Sequence, residues 1–461
     1  SEVEHFLLYD FWTDGQVNEN VFAWSNVYGD ARSLILYNNK YERAAGWINM
    51  SAAYAVKGAD DEKRLVQRTL AQGLQLTVTS DRYVIFQEQH SKLWFIRKNS
   101  EIAERGLFAV LNGFETQVFL NIYEVTDTQD EQYRQLYEKL NGNGIADVGM
   151  GINEIKFKKL YDALAACVSK EMLQDCIQLV KDCKHTESPH ETESKIHSFI
   201  NKLEPLAVAF LTALEETYRS EQTAQFLEEK VPTVKTSIKQ LSTLFKARMY
   251  RLLLSASGLL IREMPLTAMT PAVTVFIHKM CGTNSQLAVS FGSVFLMAVE
   301  DIAVYYKMED NIGRLFAFLH LEEKLVTLIR SAGFEIDSIE NKADTVKYLY
   351  YVHTARGKKT IRRTGIVHRL TQDPNVIARL GIHEWDGTYW FNREAAELIS
   401  DDMAAMLFLS AARPVTPAEC IKKTTASVEK YCRFDAEFSA AIHKSGYQVD
   451  RYLKLFAGTL K

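Results

Sequence analysis

Three stretches of this 461-residue chain bring chemistry-bearing side chains together. The first, "GIHEWDGTYWFNRE", groups His383, Glu384, Trp385, Asp386, Tyr389 and Trp390. Two carboxylates among aromatics would suit a carbohydrate subsite or a small acid–base site. Glu384 and Asp386, two positions apart, share a face only in a strand, and neither has an identifiable partner. The stretch therefore reads as a hairpin or helix-capping segment, with Asn392 as N-cap. The second group is Cys167, Cys176, Cys183, His185, His190 and His197. Zinc prefers tight cysteine pairs, and these spacings are loose, so helical core cysteines with histidines in a loop are expected. The third is the basic run "RGKKTIRRTGIVHR", Arg356 to Arg369. It would hold phosphate or nucleic acid, but it lacks the interleaved aromatics of a stacking platform and reads as a solvated turn. Phosphate-loop, dinucleotide, nucleophile-elbow and zincin motifs are absent. No catalytic residue, metal ligand set or cofactor follows.

Aromatic residues are dense near the start: Trp12, Trp24, Tyr28, Tyr37, Tyr41, Trp47, Tyr54 and Trp94. Exposed ring faces stack on sugars; buried ones fill a core or the contact with a partner domain. Tyr41 and Trp47 flank the turn "ERAAG" and are the ones expected at the surface. Together with Trp385 and Trp390 they are the carbohydrate-binding candidates.

The elements that must position these residues change character near residue 125. Before it, β-branched and aromatic runs alternate with turn residues: "FLLYDFW", "VFAWS", "RSLILYNN", "WINMSAAYAV", "YVIFQE", "LWFIR", "LFAVL" and "ETQVFLNIYEV". That spacing predicts an antiparallel sandwich or barrel. A hairpin is expected to turn at Gln89 to Lys92, and helical pieces are expected around Arg64 to Ala71 and at "SEIAERG". Residues 126–152 read as a connector. From 153 to 461 the apolar period moves toward 3.6, giving a mainly helical region. Helices are expected at Phe157 to Lys181, in "IHSFINKLEPLAVAFLTALEETY" and in "VKTSIKQLSTLFKARMYRLLLSASGLLI". Further ones are expected at Leu287 to Met308, Ile312 to Ala332, Ala343 to Ala355 and Arg393 to Ala412. "KDCKHTESPHETES" reads as a polar loop. The fold class is thus α+β multidomain, an all-β domain over 1–125 followed by helices.

A net charge of -4 offers no global basic field, so neither nucleic acid nor an anionic membrane is expected as partner. Six irregularly spaced cysteines argue against a disulfide framework and for a reducing, cytoplasmic home. The apolar stretch "MCGTNSQLAVSFGSVFLMAVE" is broken by polar residues at its start and reads as a turn and a buried helix.

The runs "LYDFWTDGQVNENVFAWSN", "GDARSLILYNNKYERAAGWI", "DEKRLVQRTLAQGLQL" and "YVIFQEQHSKLWFIRKNSEIAERGLFAVLNGFETQVFLNIYEV" resemble the β-rich domain that follows the catalytic barrel in large bacterial α-amylase-superfamily glycoside hydrolases. The resemblance is strongest over residues 6–125 and returns in "GTYWFNREAAELI" and "SGYQVDRYLKLF". In that superfamily, barrel-borne carboxylates perform a retaining hydrolysis. Its Asp-x-x-x-Asn-His, Gly-x-Arg-x-Asp, glutamate and His-Asp motifs do not occur here in usable order. The resemblance implies a non-catalytic C-terminal portion of an enzyme acting on α-glucans, supporting the barrel and contacting carbohydrate. A start without methionine fits that expectation. The competing expectation is a helical protein-interaction scaffold with no carbohydrate role, marked by a large exposed apolar groove among the helices.

Overall fold

The computed structural model describes residues 5–57, 63–228, 230, 233–263, 270–307, 312–334, 381–395, 405, 408–409 and 417–458. The chain forms two compact units, Ser1–Lys158 and Lys159–Lys461. The basic run Arg356 to Arg369 and the helix expected at Ala343 to Ala355 lie outside the described residues, as does most of Arg393 to Ala412.

The first unit is one curled antiparallel sheet, a half-barrel. Its strands are β1 (His5–Thr13), β2 (Gln16–Val17), β3 (Val21–Tyr28), β4 (Ala31–Asn38), β5 (Ala44–Ser51), β8 (Arg82–Glu88), β9 (Trp94–Lys98), β10 (Leu107–Leu111) and β11 (Thr116–Thr126). They run in the order β10-β5-β1-β3-β4-β11-β8-β9, with β2 hydrogen-bonded to β1. A separate hairpin pairs β6 (Tyr54–Lys57) with β7 (Lys63–Val66). The alternation of buried and open positions along β1 and β3 is the two-residue period that a half-buried strand requires. The inward set, including Leu7, Tyr9, Phe11, Leu36 and Ile48, packs with Phe86, Phe119 and the short helices α1 (Leu70–Gly73) and α2 (Asn99–Glu104). A Cβ on Gly73 would lie 1.8 Å from the Tyr9 hydroxyl, so glycine is what lets α1 settle this close to β1.

The helical piece expected around Arg64 to Ala71 is a correction. Lys63–Val66 is strand, and helix begins only at Leu70, behind a Thr69–Gln72 capping box. The β8–β9 hairpin turns where its sequence placed it. Residues 126–152 carry α3 (Gln132–Leu140) and the first part of α4 (Val148–Lys156). Their Leu136, Tyr133, Tyr137 and Ile152 cover Tyr83, Ile85 and Ile96 on the outer side of β8 and β9.

The second unit is mainly helical. It contains α5 (Lys158–Cys167), α6 (Lys170–Lys184), α7 (Pro189–Tyr218), α8 (Glu221–Leu227), α9 (Ile238–Ala256), α10 (Leu259–Glu263), α11 (Thr270–Cys281), α12 (Asn284–Tyr305), α13 (Ile312–Leu319) and α14 (Leu321–Ser331). After them come the hairpin β12 (His383–Trp385) and β13 (Thr388–Trp390), then α15 (Pro417–Lys444) and α16 (Val449–Gly458). Three expected single helices are each broken in two. Ser169 caps a fresh start at α6, Gly258 (φ 75) separates α9 from α10, and His320 (φ 47) separates α13 from α14. The expected polar loop is shorter than read, because α6 runs to Lys184 and Pro189 opens α7. Phe295 of α12 packs on Phe210 of α7 and Phe245 of α9, with ring centroids 5.6 and 4.9 Å apart. Arg248 of α9 holds Asp301 of α12 with both guanidinium nitrogens in this core. α12 is long and apolar enough to cross a membrane, yet 83% of its apolar window is buried, as the buried-helix reading requires.

Candidate functional site

The outer side of the first unit's sheet concentrates what the core does not need. Register places Leu8, Trp24, Ile35 and Val118 in one row across β1, β3, β4 and β11. Phe22, Tyr37 and Thr116 form the next row, and Trp12, Trp47 and Phe108 a third. Phe6, Leu8, Trp12, Phe22, Tyr28 and Phe108 are each 40–50% exposed. Side chains of this kind carry about 150–250 Å² apiece, so the half-open set leaves on the order of 500 Å² of apolar surface. That is near the upper end of what a monomer leaves uncovered, and patches of this size mark interaction sites. Covering it is worth on the order of 12 kcal/mol, against about 4–15 kcal/mol lost on association. Only a partner that covers most of the face binds stably. Two carboxamide oxygens on the same side, Asn26 Oδ1 and Asn49 Oδ1, are buried without a protein partner and offer acceptors to such a surface.

The sugar-stacking candidates are placed as follows. Tyr41 is 84% exposed in the loop between β4 and β5. Trp47 is only half-open, because the Arg105 guanidinium lies 4.8 Å from its ring centroid and Phe108 packs at 5.2 Å. Trp47 therefore belongs to the aromatic row rather than to a site shared with Tyr41. Trp385 and Trp390 sit on the β12–β13 hairpin of the second unit. Trp385 is 69% exposed, whereas Trp390 is half-buried with its Nε1 unpaired.

The carboxylates of that hairpin have structural work. Asp386 (φ 51) and Gly387 (φ 68) form the two-residue turn, a role that requires left-handed backbone. Glu384 accepts the Tyr389 hydroxyl across the pair, which pushes the Tyr389 phenol up. Asn392 accepts from the Ala395 amide at 3.0 Å, the cap its sequence suggested. Among the described residues no cluster of His, Cys, Asp and Glu could hold a metal ion. Cys167, Cys176 and Cys183 are buried and free.

A cleft of about 870 Å³ opens on the half-barrel's unclosed side, between β10 and the β8–β9 hairpin. Phe86, Phe95 and Phe119 pack together on its wall, with Phe86 lying 5.8 and 5.3 Å from the other two rings. Glu88 at its rim accepts the amides of His90 (3.0 Å) and Ser91 (2.6 Å). Burial pushes this carboxyl up, but those bonds outweigh it and bring it down to about 2. Glu115 accepts from the Asn112 amide and from Gln117 Nε2. Both acids hold turns in place; neither is presented as a proton donor to the cleft.

Sequence reasoning missed Phe6, Leu8, Phe22 and Phe108 as surface residues. The signal was present in "HFLLYDFW": apolar residues on both parities of one strand mean that both faces seek cover. Comparison with family models, with curated proteins and with solved structures finds no match for this chain.

Proposed function

We propose that this chain is the non-catalytic C-terminal portion of an α-amylase-superfamily glycoside hydrolase acting on α-glucans, and that the outer face of its sheet packs against the catalytic barrel. The observation that carries this reading is the three-row aromatic face, apolar where a lone sheet would be polar. Tyr41 and Trp385, the most open of the candidate rings, are the places where glucan would touch the chain, whereas Trp47 belongs to the docking face and Trp390 is half-buried. Among the described residues, free thiols at Cys167, Cys176, Cys183 and Cys281 support a cytoplasmic setting.

The scaffold reading has less support. The open large apolar side chains among the described residues of the second unit, such as Phe226, Val234, Val275 and Val304, fall on different elements.

The coding sequence ahead of Ser1 tests the proposal. An in-frame eight-stranded barrel with paired carboxylates is expected; a start codon there refutes it. In the protein carrying both parts, the double change Trp12→Ser and Phe22→Ser should lower the melting temperature of the barrel. In this chain alone the same changes remove only the part of each ring that the sheet already covers and should cost about 2–3 kcal/mol per site. Equal effects in both settings count against docking through this face.

A further inference from the structure

The half-barrel ends in two strands whose outer edges are treated differently. On β9, Trp94 exchanges two 2.8 Å backbone hydrogen bonds with Ile145, and Arg97 donates to the Gly142 carbonyl at 2.9 Å. That edge is occupied.

Among the described residues the outer edge of β10 is unpaired. Ala45 of β5 turns its carbonyl toward β1, where it accepts from Thr13 Oγ1 at 3.1 Å. Val110, paired with Ala45, is then a non-hydrogen-bonded position facing away from β5. Two further observations agree. The Val110 carbonyl accepts from the Gln117 side chain at 2.8 Å. The Ile48 carbonyl is directed to the β10 side, since a Cβ on Gly106 would lie 1.9 Å from it. Alternation along the strand sends the Phe108 N–H and C=O to the same free edge as the Val110 N–H, and none of the three has a hydrogen-bond partner among the described residues. Gln117 occupies one place that a neighbouring strand's N–H would take.

The edge sequence "LFAVL" contains no lysine, proline or glycine, the usual guards of an unpaired strand. The cleft runs beside it, with an aromatic wall at Phe86, Phe95 and Phe119, the acids Glu88 and Glu115 in its lining, and the Arg97 guanidinium there engaged by the Gly142 carbonyl.

We propose that β10 takes up an additional strand, an extended segment of a protein partner with apolar residues at alternate positions and a basic residue. Backbone groups of Phe108 and Val110 pair with the incoming strand, its apolar side chains enter the cleft, and its cation meets the carboxylates of Glu88 and Glu115. The site is a strand edge rather than the aromatic face, and it stands whether or not the chain serves a hydrolase.

The test uses the whole chain and a capped synthetic peptide, Arg-Val-Thr-Val-Thr-Val-Thr-Val, as the probe. Saturating peptide should slow amide exchange at Phe108 and Val110 by at least about tenfold, the equivalent of one or two net hydrogen bonds. Val110→Pro removes an edge donor that β5 does not use, and should weaken peptide binding by about tenfold with the melting temperature unchanged. A second arm needs no variant. Of two peptides, one N-methylated at every threonine and the other at every valine, one must fail to bind, because a strand offers one parity of donors to β10. The proposal is overturned by equal binding of both methylated peptides, which would make the cleft a site for apolar ligands only. Protection that falls on other strands overturns it, as does self-association that protects the same two amides without peptide. No protection at millimolar peptide overturns it too.

Discussion

Replacing Glu88 by glutamine probes the hairpin tip that borders the cleft. The carboxylate accepts the His90 and Ser91 amides at 3.0 and 2.6 Å and lies 3.2 Å from His90 Nδ1. Burial opposes its ionisation, but the hydrogen bonds prevail and carry the group from 4.5 to about 2. At 1.36 kcal/mol per unit, that difference sets a ceiling of about 3.4 kcal/mol. The His90 ring is 72% exposed, so solvent reaches the tip and screening reduces the figure to about 1–2 kcal/mol. The sign follows from a folded-state value below the unfolded one. The stabilisation is complete above the unfolded value of 4.5 and fades as pH falls toward about 2. Urea unfolding followed by tryptophan fluorescence suits the measurement, because Trp12, Trp24, Trp47 and Trp94 all lie in the same unit as Glu88. At pH 7, Glu88→Gln should lose about 1–2 kcal/mol, and the gap to the unsubstituted chain should close between about pH 5 and pH 2. A gap of zero at pH 7, or one that persists unchanged into acid, refutes the reasoning.

Two further outcomes concern the helical unit. Arg248→Met takes the two-nitrogen cation away from the mostly buried Asp301 and should cost about 3–5 kcal/mol by calorimetry, whereas adding Asp301→Leu should recover most of the loss; a double variant no better than the single one contradicts this. Burial pushes the thiols of Cys167 and Cys281 up to about 12 and raises that of Cys176, so a thiol reagent at pH 8 should leave these three unmodified in the folded chain and label them once urea unfolds it. Labelling in the native state would show that the helices open readily.

The strands were legible because alternation and turn residues act over a few neighbours, and each quoted run falls on a strand of the sheet or of the β6–β7 hairpin. Helix ends were less legible. Ser169 and His320 break periodic apolar runs through single-residue capping and backbone effects, which do not disturb the hydrophobic pattern around them. The hairpin at His383 to Trp390 was readable from Asp386-Gly387, a pair suited to left-handed turns. The aromatic face was not. Whether Trp12 looks inward or outward depends on which parity of β1 meets the core, and that is decided by β5 and β3 together. The cleft lay further out of reach, since it exists only because β10 and β9 end the sheet without meeting.

The placement of β10 also bears on how the first unit reaches its native state. Its partner is β5, so Leu107 must find Ile48, and β11 must find β4 through pairs such as Phe119 with Leu34. Chain closure over such separations is slow compared with helix formation among near neighbours. During that search the half-built sheet presents raw edges and an oily surface at once, so newly made protein is most vulnerable to clumping before β10 and β11 arrive.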